Sequence, residues 1–125
     1  MEFTTKVCAG YIEAVVKGEF DLLDGKACTD AAFQLCEQHK IWKVLIHALA
    51  MSENVSVGSR FSIGEYMATQ ANFPLRAAIL VSTRLVQESK ALQNTANNRG
   101  ASVLTTDSLA QAALFLGVDI SDAKV

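Results

Sequence analysis

The stretch Lys43-Val44-Leu45-Ile46-His47-Ala48-Leu49-Ala50 decides how the chain is read. It is short, almost wholly apolar and β-branched at Val44 and Ile46, which suits a strand buried in a sheet. A small polar turn follows, Ser52-Glu53-Asn54-Val55-Ser56-Val57-Gly58-Ser59, and an amphipathic helix is expected from about Arg60 to Gln70. In an open α/β sheet ligands gather at the carboxyl ends of strands, so this strand–turn–helix unit is the first place to look for function.

Outward from it, the same grammar repeats. Met1–Cys8 and Tyr11–Glu19 read as two strands joined at Ala9-Gly10, close enough to form an antiparallel hairpin. Asp21 or Asp24 can cap a helix carrying Ala27, Ala31, Ala32, Leu35 and Cys36 inward, with Phe33 alongside and His39-Lys40 at its basic end. After the central strand, Phe61, Ile63, Gly64, Met67 and Ala68 give the next helix its apolar stripe, and Asn72-Phe73-Pro74 stops it. Leu75–Val81 is a further buried strand. Ser82-Thr83 should cap a long helix over Leu85–Arg99, with Gly100 as its left-handed stop. Ser102–Thr105 and a helix capped by Thr106-Asp107-Ser108 and ended by Gly117 complete the pattern. The order β-β-α-β-α-β-α-β-α predicts one α/β domain over residues 1–118, with a mostly parallel mixed sheet and an antiparallel first strand; residues 119–125 read as a flexible tail.

Composition narrows the class. Half of the 125 residues are apolar, 19% are charged, and there is one Pro, so the chain is globular and long enough to bury a core. A net charge of −2 with scattered basic residues supplies no footprint for nucleic acid. No uncharged apolar run approaches the roughly 20 residues of a membrane span, and Met1–Lys6 is followed by no signal-like apolar segment, so a cytoplasmic protein is expected. Cys28 and Cys36 lie eight apart on one predicted helix, about 12 Å along its axis. A disulfide needs Cα atoms within about 7 Å, so small buried thiols are expected instead.

Several motifs resemble one family together. They are Gly18-Glu19, His39-Lys40-Ile41-Trp42-Lys43-Val44-Leu45-Ile46, Arg60-Phe61-Ser62-Ile63-Gly64-Glu65, Ala77–Val81, Asn97-Asn98-Arg99-Gly100 and Ala112–Leu116. In this order and spacing the chain resembles the small bacterial STAS-like proteins grouped as SpoIIAA-like. These share a fold with sporulation anti-sigma-factor antagonists and with CRAL-TRIO lipid-transfer domains. The resemblance implies a SpoIIAA-like fold and a role in protein contact or apolar-ligand carriage. Phosphorylated antagonists of this fold carry Asp-Ser-(Ser/Thr)-Gly after the central strand. Here Val55-Ser56-Val57-Gly58-Ser59 lacks the Asp, His47 stands where relatives often hold an acid, and Phe115 stands where a Trp is common.

Each candidate residue has a sharp and a bland reading. Ser56, Gly58 and Ser59 form an anion or phosphorylation site, or simply start a helix. His47 is a general base or ligand at a pocket margin, or a hydrogen-bonded histidine at the sheet margin; no nucleophile motif accompanies it. Arg60 and Arg76 hold an acidic ligand or make surface ion pairs. Asn97–Gly100 is a recognition loop or a helix stop. Trp42 and Phe73 pack at the rim. No usual metal-ligand spacing links His39, His47 and the cysteines, and no cofactor is implied. The leading expectation is a non-enzymatic interaction or regulatory module acting around Val55–Glu65. Next comes a small carrier of a lipid or other apolar ligand, its pocket margin at His47 and Arg60 and its walls on the Met67 and Leu85–Ala96 helices. A homodimer through the Met1–Cys8 edge is open.

Overall fold

A computed structural model of the chain describes residues 1–52, 56–70 and 75–120. The elements are β1 (Glu2–Val7), β2 (Ile12–Gly18), α1 (Leu22–His39), β3 (Lys43–Met51), α2 (Val57–Gln70), β4 (Arg76–Leu80), α3 (Lys90–Asn98), β5 (Ser102–Thr106) and α4 (Leu109–Leu116), with a 3₁₀ turn at Thr83–Leu85 before α3. The five strands lie in the order β1-β2-β3-β4-β5, β1 antiparallel to β2 and all other pairs parallel. The β-β-α-β-α-β-α-β-α order and the mixed sheet are as the sequence predicts.

Each parallel crossover steps to the next strand in the same direction, so one handedness puts α1, α2 and α3 on a single face. That face holds the larger core: Ile12, Ala14 and Val16 of β2, Val44, Ile46 and Ala48 of β3, and Ala77 and Ile79 of β4. Leu45, Ala78 and Tyr11 point the other way and meet Ala112 and Leu116 of α4. Ile120 belongs to this second core at 3% exposure, so packing continues two residues past the expected boundary at 118. Residues 121–125 of the predicted tail, and the predicted stop at Asn72-Phe73-Pro74, lie outside the described residues.

Local chemistry explains the ends. Asp21 rather than Asp24 caps α1, accepting from the N–H groups of Leu23 and Asp24 at 2.9 and 3.1 Å. Ser108 caps α4 by accepting from Gln111 N–H at 3.1 Å. Gly117 ends α4 with φ +69°, and α1 ends on Lys40, a non-glycine at φ 56°.

Three expectations are corrected. α3 is shorter than Leu85–Arg99: Ser82 makes no side-chain cap, and Thr83 Oγ1 is engaged instead by Asp107 Oδ2 at 2.8 Å, leaving only a 3₁₀ turn there. On α1 the buried set is Gly25, Cys28, Thr29, Ala32, Phe33 and Cys36, while Ala27 is exposed. Small residues specify helix phase weakly, and the large Phe33 sets it. Phe61 leaves the α2 stripe and is 46% exposed, because the buried face follows Arg60, Ile63, Gly64 and Met67.

Gly64 shows why that phase is fixed. A Cβ there would sit 2.6 Å from the carbonyl oxygen of Leu92, so α2 and α3 approach at backbone distance. The α2 backbone packs on α1 and α3 rather than on the strands beneath it. A hollow is left between α2 and the sheet.

Candidate functional site

The hollow consists of two adjoining cavities. The larger, of ≈ 70 Å³, is lined by Val16, Phe20, Cys28, Ile46, Ala48, Ile63 and Leu92, among others, and by Met1, Met51 and Met67, which are all three methionines of the chain. Its wall is almost wholly apolar, and its one hydroxyl, Thr29, is tied to the Gly25 carbonyl at 2.9 Å. The smaller cavity, of ≈ 50 Å³, shares Phe20, Met51, Ile63, Ile79 and Leu92 with the first and adds Leu85, Ser89, Thr105 and Arg60. Of the expected Met67 and Leu85–Ala96 walls, Met67, Leu85 and Leu92 line the hollow and Ala96 does not. Met51 reaches the hollow from the end of β3, where the register with β2 shifts between Val15 and Lys17.

Arg60 carries the one charged side chain among the described lining residues of this hollow. Its side chain is 7% exposed, and Nη2 lies 3.2 Å from Glu88 Oε2, whose own side chain is 58% exposed. The ion pair expected of Arg60 is present, but the cation is buried and only the anion is at the surface. Neither the burial nor the Glu88 partner was anticipated. The signal for burial was there: Arg60 precedes Ile63, Gly64 and Met67 by three, four and seven residues, the spacing of one helix face.

His47 is not at this margin. Its neighbours Ile46 and Ala48 face the three-helix core, as strand alternation predicts, and His47 faces the other side of the sheet. There Nε2 lies 3.1 Å from Glu13 Oε2, with side-chain exposures of 7% and 10%, and Lys6 Nζ lies 3.5 Å from Glu13 Oε1. The structure thus separates His47 from Arg60 by the thickness of the sheet. It gives His47 the hydrogen-bonded reading, on an interior strand rather than at the sheet margin. Glu13 was overlooked; its place between Ile12 and Ala14 on an alternating strand was the available sign.

At the start of α2 the helix-start reading of the serines is the observed one. Ser56 Oγ accepts from Ser59 N–H at 3.0 Å and donates to Ser59 Oγ at 3.0 Å, and the Ser56 carbonyl takes Arg60 N–H at 3.1 Å. Gly58 is exposed beside them. Glu53, Asn54 and Val55 of the predicted contact turn lie outside the described residues. Phe61, one turn on, lies 5.9 Å from the Arg99 guanidinium, which also pairs with Glu65 at 2.7 Å.

A shallow groove of ≈ 550 Å³ opens at the opposite ends of β3 and β4, between Gly10, Lys40, Ile41, Trp42, Lys43 and Arg76. Two of its cations are engaged with the end of α4: Lys43 Nζ with Gly117 O at 3.4 Å and Arg76 Nη1 with Phe115 O at 3.0 Å. Asn97 likewise has a structural partner, bracketing Val103 by bonds of 2.8 and 3.0 Å to its N–H and carbonyl. The cysteines are free, and burial pushes the Cys28 thiol up to about 11 and that of Cys36 to about 12. Both stay protonated and apolar at neutral pH, which keeps the Cys28 wall of the hollow uncharged.

Among the described residues no group of three or more His, Cys, Asp or Glu could hold a metal, and no helix is long and apolar enough to cross a membrane. The chain matches no protein-family model and no curated protein.

Proposed function

We propose that the chain is a non-enzymatic α/β binding module of the STAS-like kind that takes up a compact apolar ligand between its sheet and α2. The observation that supports this is the hollow itself, apolar and walled by Met1, Met51 and Met67. Methionine has three rotatable bonds and a polarisable sulfur, so a methionine wall reshapes around a guest at low cost. Each cavity is smaller than the roughly 150 Å³ engineered cavity that admits benzene, and far below the ~300–1,000 Å³ of drug-sized pockets. The guest is therefore compact, and uptake requires the methionines to move. This reading moves ahead of protein contact because the predicted turn residues Ser56 and Ser59 are bonded to each other at the helix start.

Hexanol and benzene are the test probes, with uptake followed by NMR shift changes at Ala48, Ile63 and Met67. Native mass spectrometry of protein purified from its host looks for a copurified guest. Wild-type protein should take up both probes, and Ala48→Leu, which fills the larger cavity, should abolish uptake while the fold persists. Absence of uptake by the wild type sinks the reading.

A second reading keeps α2 as a protein-contact face, favoured by the 46% exposure of Phe61 beside Arg99 and Glu65. A photocrosslinker at position 61 should then give one discrete adduct in cells, and a crosslinker at the exposed Leu114 should give none.

A further inference from the structure

The apolar hollow ends on a cation that needs an explanation. Burying a guanidinium carries a desolvation cost that only good pairing offsets, and a carboxylate more than half in water is a weak partner. An ion pair needed only for the surface would sit on the exposed side of α2, where Phe61 is instead. Arg60 faces the smaller cavity with Ser89 and Thr105, and among the described lining residues of either cavity it is the only charged side chain; the Met1 ammonium, on the larger cavity, is paired with Asp24 at 3.3 Å. The hydroxyls of Ser89 and Thr105 lie on the Arg60 cavity, whereas the cavity with Met67 and Cys28 has one hydroxyl, Thr29, already bonded to the Gly25 carbonyl. The hollow is thus polarised, one end cationic and the other hydrocarbon.

We infer that the guest is a compact monocarboxylic acid, with its carboxylate on Arg60 and its hydrocarbon body among Met51, Ile63 and Met67. This rests on the apolar-ligand reading above. One monovalent cation balances one monoanion, and the planar guanidinium fork matches a carboxylate through two parallel N–H bonds. A phosphate dianion would want a second cation beside Arg60; no other charged side chain lines the described wall, and the Met1 ammonium is held by Asp24 at 3.3 Å. The exchange is chemically symmetric: the guest's carboxylate replaces that of Glu88. Glu88 lies in the turn between the 3₁₀ segment and α3, with its side chain largely hydrated, so it returns to water with little rearrangement. Glu88 therefore acts as a resting stand-in that keeps Arg60 paired when the hollow is empty.

The experiment measures hexanoate and hexanol binding to the full chain at pH 7 by calorimetry, for wild type, Arg60→Gln and Glu88→Gln. Wild type should bind hexanoate at least about tenfold more tightly than hexanol, the scale of one charge-assisted contact. Arg60→Gln should lose that advantage and keep hexanol binding. Glu88→Gln, on an exposed turn that tolerates substitution, should tighten hexanoate several-fold and leave hexanol alone. Equal binding of the two probes by wild type overturns the acid proposal and leaves the apolar hollow standing. Binding of neither overturns both. Should Arg60→Gln not fold, an unchanged hexanoate affinity in Glu88→Gln is enough to overturn it.

Discussion

On one face of the sheet β3 presents Val44, Ile46 and Ala48 to three helices and a hollow; on the other it presents Leu45 to α4 and His47 to Glu13. The same strand thus feeds two differently built interiors. The three-helix side buries small and flexible residues under a helix that leans on its neighbours, and space remains. The α4 side fits a short helix against Leu45 and Ala78. Beyond the core residues that helix contacts, its buried polar groups are joined to one another. An apolar wall with space can admit a guest. A buried polar pair fixes side-chain geometry, because an unpaired member is costly. On the proposed function, uptake belongs to the first face and rigidity to the second.

The largest expected effect breaks the first face at its closest contact. Gly64→Ala forces a methyl to within 2.6 Å of the Leu92 carbonyl, where backbone rather than a flexible side chain must give. Denaturant unfolding should show a loss of about 3 kcal/mol, the upper end of overpacking costs, with hexanol uptake altered as α2 shifts. A loss below about 0.5 kcal/mol would mean that the two helices are free to separate.

A smaller effect tests the second face. Glu13→Met alone should cost about 2 kcal/mol, because it takes the carboxylate from buried His47, and His47→Leu alone should cost less, about 1 kcal/mol, because Glu13 keeps Lys6 at 3.5 Å. The double variant should cost clearly less than the sum, since both polar groups are then gone. Strictly additive losses would show that the 3.1 Å contact contributes nothing beyond the two side chains. Hexanol binding should be indifferent to all three variants.

The two faces also differ in how far the sequence disclosed them. Strand alternation sets His47 opposite Ile46 and Ala48, because period-two geometry needs only neighbours, but it does not say which side carries the hollow; the hairpin, the sheet composition and the cap regions at Asp21 or Asp24 and at Thr106–Ser108 follow from equally local rules. Partners across the fold were hidden. Glu13 and His47 are 34 residues apart, and only strand register brings them together. Arg60 reads as a surface cation until its place on the Ile63–Gly64–Met67 face is counted, and Phe61 reads as core by composition alone. The α3 start departs from the local pattern where Thr83 has a tertiary partner in Asp107, which no local rule contains. The hollow was least visible of all. It depends on Gly64 drawing α2 toward α3, a distance and not a pattern.

The smallest effect separates the hollow from general stability, which the larger ones leave entangled. Lys40 closes α1 in a left-handed conformation, φ 56°, where a side chain costs roughly 1 kcal/mol or more and glycine costs none. Lys40 lines the distant groove by Trp42 and neither cavity of the hollow. Lys40→Gly should therefore raise unfolding stability by about 0.5 kcal/mol, the strain relief less the added freedom of glycine in the unfolded chain. Hexanol and hexanoate affinities should stay at wild-type values. If instead uptake weakens as the fold tightens, the hollow opens only by partial unfolding of the three-helix face. Its methionine wall would then be a frayed core and not a built cavity, and the contrast between the two faces would reduce to a difference in local stability.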